Sequence, residues 1–234
     1  VYREISPSAE LAGWVECFWT RDASADAPPQ RVLPDNCADL LFDLDQGRGF
    51  VVGTMTAPLL LTPGRTPAFF GIRFRPGRAL PFAGMPLHEL TDGILPADNN
   101  LAEQLAGCGD DAERVRRCQA SLVRTLARVE ARDARVDAAV ARLTARAEPI
   151  DDVAHAVGLT RQHLRRRFLE HVGITPKLFA RVARFRRLLR DPLARSNASW
   201  ASLAADHGYA DQSHLIAEFR ELAGTSPVPF FLSP

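Results

Sequence analysis

The chain has 234 residues, 46% hydrophobic and 24% charged, enough to fill one large core or two ordinary ones and typical of globular rather than disordered sequences. Its formal net charge is +1, and no apolar run approaches the ~18 residues of a membrane span, which excludes a membrane-spanning helical chain. The opening segment, VYREISPSAE, lacks the charged and apolar regions of a signal peptide, so a cytoplasmic protein is expected.

Residues 1–100 read as mostly β. Short apolar or aromatic runs, VECFWT from Val15, ADLLFDL from Ala38, FVVGT from Phe50, LLLT from Leu59 and FFGIRF from Phe69, are punctuated by Pro and Gly. Their imperfect alternation suits strands buried on one face and partly covered on the other, and predicts a small barrel or sandwich. DASADAPPQ, residues 22–30, reads as a mobile polar loop between strands. Trp19, Phe42 and Phe74, with Asp39 and Arg73 as fixing charges, are candidates for an effector pocket; the alternative is ordinary core aromatics and surface ion pairs. Cys17, Cys37, Cys108 and Cys118 form no CxxC pair and read as buried free thiols.

From Leu101 the pattern becomes helical. Val115, Cys118, Leu122, Thr125 and Val129 step by three and four residues along one face. That stripe fits either packing on its own β domain or a dimer seam. The charged segment around residue 130 marks a boundary, and Val136, Val140 and Leu143 form the stripe of a further helix before Pro149. Across the boundary the charge changes sign: 13 basic against 17 acidic residues precede it, and 16 against 11 follow. A basic C-terminal half suggests a nucleic-acid partner.

The stretch IDDVAHAVGLTRQHLRRRFLEHVGITPKLF, from Ile150, contains two short helical patterns broken by Gly158. Thr160 is placed to cap the second, in which Leu164 and Phe168 point to the core. Arg161, Gln162, Arg165 and Arg166 share the opposite side, as a helix reading the major groove requires. Between Gly158 and Arg190 there are nine Arg and Lys177 against the single acid Glu170, whereas a merely solvated face mixes signs. KLFARVARFRRLLR continues as a long amphipathic helix with Leu178, Val182, Phe185 and Leu189 facing inward. Arg181, Arg184, Arg186, Arg187 and Arg190, with Thr160 and Arg167 of the first unit, are the expected phosphate contacts.

The pattern then recurs in WASLAADHGYADQSHLIAEFRELAGTSPVPF, with Ser199 as the expected cap, Gly208 at the turn, Leu215, Phe219 and Leu222 inward, and Gln212, Ser213 and His214 toward the groove. The turn glycines are 50 positions apart but Phe168 and Phe219 are 51 apart, so one residue has been added at the start of the second recognition helix. The fold expected is α+β. Residues 1–130 form a β-rich, barrel- or sandwich-like domain with flanking helices, and residues 131–234 an all-α domain of two helix-turn-helix units, with recognition helices near residues 160–172 and 211–222.

These residues resemble the C-terminal domain of the AraC/XylS family of transcriptional regulators over about residues 134–232, most specifically through GYADQSHLIAEFRELAGTSPVPF. The resemblance implies base reading by Gln162, Arg165 and Arg166 and by Gln212, Ser213 and His214. Many members carry arginine at the place of Ala217, so Ala217 with Glu218 implies a weaker second helix. PDNCADLLFDL, VVGTMTAP, GIRFRPG and ELTD resemble the β-rich domain of one poorly characterised branch of the family. The partners implied are duplex DNA, a small-molecule effector, RNA polymerase and a second copy of the chain.

No GxSxG, HExxH, P-loop or dinucleotide glycine pattern is present, so no enzyme is expected. His155, His163 and His171 recur at intervals of eight rather than on one helical face, and neither metal nor cofactor is expected. The rival functions are a cysteine-based alkyl acceptor of the DNA-repair type, whose paired cysteine spacing is missing, and a constitutive DNA-binding protein without a ligand.

Overall fold

The computed structural model describes every residue except 63, 98, 130, 131, 197, 198, 233 and 234. The chain is α+β. Strands β1 (Tyr2–Ile5), β2 (Val15–Arg21), β3 (Ser24–Ala27), β4 (Gln30–Val32), β5 (Asp39–Asp43), β6 (Arg48–Val52), β7 (Leu59–Leu61), β8 (Gly64–Thr66) and β9 (Phe69–Phe74) come first. A short helix α1 (Leu80–Ala83), a 3₁₀ turn (Leu87–Leu90) and strand β10 (Ile94–Pro96) follow, then α2 (Asn99–Ala106) and α3 (Asp111–Leu126). The C-terminal part is helical: α4 (Ala134–Ala145), α5 (Ile150–Ala156), α6 (Arg161–Val172), α7 (Pro176–Arg190), α8 (Trp200–Asp206), α9 (Gln212–Ala223) and α10 (Pro227–Leu232), with a 3₁₀ turn at Pro192–Arg195.

The expected barrel or sandwich takes the form of one antiparallel sheet in the order β1-β2-β9-β5-β6-β10, with two short ribbons, β3–β8 and β4–β7. Strand alternation decides its faces. Phe70, Ile72 and Phe74 of β9 lie opposite Phe18 and Phe42 in the first core, where they meet Ala102 and Leu105 of α2 and Val115, Cys118 and Leu122 of α3. The stripe on α3 is therefore used inside its own domain, not as a dimer seam. Residues 22–30 are not simply a loop: they contain β3 and the first residue of β4, paired with β8 and β7. Pro28 and Pro29 separate the two short strands, and the polar side chains that suggested a loop are those the ribbon turns outward while Ala27 is buried.

Two further clusters build the helical part. One gathers Val136, Ala139 and Leu143 of α4, Val153 and Ala154 of α5, Leu164, Phe168 and Val172 of α6, and Phe179 and Ala183 of α7. The other gathers Val182, Phe185 and Leu188 of α7, Leu203 and Ala204 of α8, Tyr209, and Leu215, Phe219 and Leu222 of α9. Helix α7 thus contributes to both. The expected domain boundary at residues 130 and 131 lies outside the described residues.

The β part is docked on the helical part by three hydrogen bonds, two of them buried. Thr54 Oγ1 donates to the Val172 carbonyl (2.6 Å), Thr91 Oγ1 to the Gly173 carbonyl (2.6 Å) and Asn36 Nδ2 to the Phe179 carbonyl (3.1 Å). The Thr54 loop is pressed against the Leu87–Leu90 turn, since a Cβ on Gly53 would lie 1.8 Å from the Leu90 carbonyl oxygen. Gly53→Ala must displace backbone and should cost about 3 kcal/mol of stability, the upper end for overpacking. Denaturant unfolding of the two proteins checks this; an unchanged midpoint would show that the loop gives way freely.

Candidate DNA-binding surface

Both units make the same turn. Helix α5 ends at Gly158 (φ +67°) and α8 at Gly208 (φ +74°), a left-handed backbone that glycine adopts without steric cost. The next N–H closes the turn each time, Leu159 to the Ala154 carbonyl (2.9 Å) and Tyr209 to the Ala204 carbonyl (2.8 Å). The caps then differ by one position. Thr160 accepts from the His163 N–H (3.2 Å) at the start of α6, whereas Asp211 accepts from the His214 N–H (2.7 Å) at the start of α9. The extra residue read from the spacing of the repeats is placed in this turn. Ser199 does stand at the cap position of α8, but its side chain makes no capping bond.

Leu164, Phe168 and Val172 hold α6 down, leaving Arg161, Gln162, Arg165 and Arg166 exposed. Gln162, Arg165 and Arg166 have no hydrogen-bond or ion-pair partner among the described residues. Arg161 pairs with Asp151 (3.1 Å), both ends exposed, and such a pair is weak enough to exchange for another anion. On α9, Gln212, Ser213 and His214 are exposed. His214 is partly committed, because its Nδ1 accepts from the Ala210 N–H (3.2 Å) and its ring stands edge-on to Tyr209.

The expected phosphate contacts are used differently from one another. Arg181 Nε and Arg184 Nη2 lie 2.9 and 2.7 Å from Glu218 Oε2, Arg184 Nε donates to Oε1 (3.1 Å), and Arg181 also pairs with Glu221. Glu218 is only 2% exposed. Arg184 additionally donates to the Gly208 carbonyl and stacks over the Tyr209 ring, 4.3 Å from its centroid. Both arginines are thus engaged within the fold. Arg187 donates to the Thr144 carbonyl (2.8 Å) at the end of α4 and has no carboxylate partner among the described residues; burial, then the nearby Arg184, holds its pKa below the usual guanidinium value. Arg167 pairs with Asp133 (3.2 Å), and Thr160 is occupied as a cap. Glu218 was legible as an inward residue, since it falls among Leu215, Phe219 and Leu222 at core spacing, but its charge hid that. It faces α7, where its carboxylate takes up Arg181 and Arg184. The depression between the two units, about 700 Å³, consequently mixes Arg161, Lys177, Arg181 and Arg184 with Glu148, Asp151, Glu218 and Glu221.

Residues 153–231 match a helix-turn-helix domain family, and residues 3–96 a domain of unknown function (DUF6597). No curated protein matches the chain. Solved structures of ToxT from Vibrio cholerae are similar at 10% identity. An apo form covers 99% of this chain and 95% of its own with a TM-score of 0.43. A form bound to (E)-4-(8-methylnaphthalen-1-yl)but-3-enoic acid covers 92% and 98% with a TM-score of 0.45, and one bound to an unsaturated fatty acid covers 98% and 93% with 0.40. In the helical domain here, the double-unit arrangement is carried by α7.

The five residues expected to form an effector pocket do not converge. Phe42 and Phe74 belong to the first core, whereas Trp19, Asp39 and Arg73 lie on the other face of the sheet. There Trp19 Nε1 donates to Asp39 Oδ1 (2.9 Å), and Arg73 Nε lies 3.4 Å from both Asp35 and Asp39. Arg73 and Cys17 open onto a depression of about 590 Å³ between the domains, bounded across it by Arg186, Arg187 and Arg190 of α7. All four cysteines are buried and unpaired, and burial pushes the Cys17 thiol up to about 12 and that of Cys37 well up. Among the described residues no His, Cys, Asp or Glu cluster could hold a metal, and no helix is long and apolar enough to cross a membrane.

Burial, against the pull of Arg73, pushes the Asp39 carboxyl from its ordinary 3.8 up to about 6. Between those values the folded chain holds a proton that the unfolded chain has lost. The contribution of Asp39 therefore favours the fold increasingly as pH falls from about 6 toward 3.8, and is lost as pH rises through about 6. Trp19 fluorescence should report this titration with a midpoint near 6, absent in Asp39→Asn. A midpoint near that of a free carboxyl would show that the site is wet. The buried Glu218 anchors two guanidiniums, and Glu218→Ala should cost about 2–3 kcal/mol in denaturant unfolding, less than a fully buried pair because both arginines are partly exposed.

Proposed function

We propose that this chain is a cytoplasmic, sequence-specific transcriptional regulator that reads two successive major-groove segments of duplex DNA, with residues 131–234 as the reader and residues 1–130 as a regulatory domain. What carries the reading is the contrast within one domain between Gln162, Arg165 and Arg166, exposed and unpartnered among the described residues, and Arg181 and Arg184, paired with Glu218 and Glu221. Arg pairs bidentately with guanine and Gln with adenine. The first helix supplies most of the affinity. Gln212 and Ser213, with the ring edge of His214 that Ala210 leaves free, refine the choice of site. The two segments lie about one helical turn, ~34 Å, apart on one face of the duplex. Arg161 reaches the DNA by leaving Asp151, and Arg167 and Thr160 flank the backbone. Arg181, Arg184 and Arg187 serve mainly to hold the units in place.

A small molecule with an anionic group modulates the protein at the depression between the domains. The support for this is Arg187, half-buried and with carbonyl partners only among the described residues, beside Arg186 and Arg190. An alkyl acceptor would need a reactive thiolate, and burial keeps the Cys17, Cys37 and Cys118 thiols protonated at neutral pH. The regulator reading includes contact with RNA polymerase and self-association, the latter through a surface other than α3.

Selection of bound DNA from a random pool, followed by footprinting, tests the assignment. Two protected segments about a turn apart are expected, and protection of only one would remove α9 from the readers. Arg165→Ala should cost about 1–3 kcal/mol of binding at one defined base pair. A uniform loss over all sequences would instead make Arg165 a phosphate contact. If anionic metabolites neither raise the melting temperature nor change DNA affinity, the protein is a constitutive binder.

A further inference from the structure

The depression of about 590 Å³ between the domains has two walls of opposite excess charge. On the β side Glu4, Asp35 and Asp39 share one guanidinium, that of Arg73, at 3.8, 3.4 and 3.4 Å. On the helical side Arg186, Arg187 and Arg190 of α7 have no carboxylate partner among the described residues. The other charges at the rim are paired, Arg75 with Glu16 (2.7 Å) and Arg78 with Asp137 (2.7 Å). A simple anion would satisfy one wall and leave the acids of the other without a cation.

Asn36 marks the acidic end. It lines the depression, is 4% exposed, and its Nδ2 donates to the Phe179 carbonyl of α7 (3.1 Å). Because a carbonyl only accepts, that bond fixes which way the amide faces, and it leaves Oδ1 buried without a partner. A buried acceptor in that state is costly until a donor reaches it. Phe179 and Arg187 are eight positions apart on α7, about 12 Å along the helix axis. Ala183 lies midway, and with Ala141 of α4 it borders the depression with a short apolar side chain. The orphaned acceptor and the cations are thus separated along the helix, with apolar surface between them.

We propose that this depression binds an elongated dipolar molecule of the ω-amino carboxylate class. Its ammonium donates to Asn36 Oδ1 and the Asp35 carboxylate, its hydrocarbon chain lies over Ala141 and Ala183, and its carboxylate meets Arg187 with Arg186 or Arg190. The proposal rests on reading the depression as an effector site and adds the chemistry that the effector must have. An α-amino acid with an apolar side chain carries its two charges side by side and cannot reach both ends. A plain carboxylate leaves Oδ1 unpaired.

The test is calorimetric titration and thermal melting of the full chain with β-alanine, γ-aminobutyrate, δ-aminovalerate and ε-aminocaproate, against three controls. Caproate lacks the ammonium, hexylamine lacks the carboxylate, and norleucine is the isomer of ε-aminocaproate with adjacent charges. The best ω-amino carboxylate should raise the melting temperature and bind about tenfold more tightly than every control, the order expected for one charged, hydrogen-bonded end. Asp35→Asn keeps an oxygen for the Cys37 N–H but removes the charge facing the ammonium, and should weaken that binding by a similar factor. Arg187→Gln keeps a donor for the Thr144 carbonyl and should weaken it from the other end. Arg190→Gln, at an exposed position, replaces Arg187→Gln if the latter does not fold. Equal binding by any control overturns the proposal; if that control is caproate, an anion-binding effector site still stands. Binding that ignores Asp35→Asn, or the loss of the α7 charge, overturns it as well. If neither caproate nor any ω-amino carboxylate binds, the proposal falls together with the effector reading of the depression.

Discussion

The two recognition helices are positioned by one shared helix. Phe168 of α6 stands edge-on to Phe179 of α7 at 5.6 Å, and its counterpart in the repeat, Phe219 of α9, stands edge-on to Phe185 of α7 at 5.2 Å. Phe179 and Phe185 are six positions apart, which on an α-helix is a rise of about 9 Å and a net rotation of about 240°. The two units therefore sit on different sides of α7 and are offset along it, whatever the loops between them do. Because both phenylalanines are fully buried, neither unit can swing without opening a core.

The same helix explains how the positive charge of the domain is divided. Glu218 brings a carboxylate into the seam between α7 and α9, and burying it is tolerable only because Arg181 and Arg184 occupy its oxygens. Those arginines then fix the second unit to α7 instead of projecting from it. A count of basic residues between Gly158 and Arg190 treats them all alike. The structure separates a group consumed by the fold from the stripe on α6, whose cations have no counter-charge among the described residues beyond the exposed Asp151.

Much of this was legible in the sequence because it is local. Apolar spacing and turn glycines placed α4 to α9, and the mismatch between glycine and phenylalanine spacings located the extra residue before Asp211. Strand parity was equally available: Arg73 and Phe74 are adjacent in β9 and must face opposite ways, so grouping them in one pocket contradicted the alternation of a strand. The ribbon in residues 22–30 was hidden because its pairing partners lie some forty positions on and its outward residues are polar. The docking bonds had no local signal at all. Thr54 and Val172 are 118 positions apart, and a hydroxyl that caps a distant helix looks like any other threonine.

Those long-range contacts bear on both readers. A Cβ on Gly224, where α9 ends, would come within 3.3 Å of Pro58 Cγ, just as one on Gly173 would meet the Leu87 carbonyl, and Leu33 packs into the core of the second unit. The β part thus abuts the C-terminal ends of both recognition helices, the ends directed away from the positions assigned to base reading. The two abutments differ in kind. At α9 the contact is apolar and close, Gly224 against Pro58; at α6 two hydroxyls donate to carbonyls at the helix end. Hydrogen bonds to such carbonyls are directional and are lost over a displacement that an apolar contact tolerates. A small rotation of the β part therefore acts first on α6, the helix carrying the uncompensated cations, and leaves α9 held by Glu218 and Phe185.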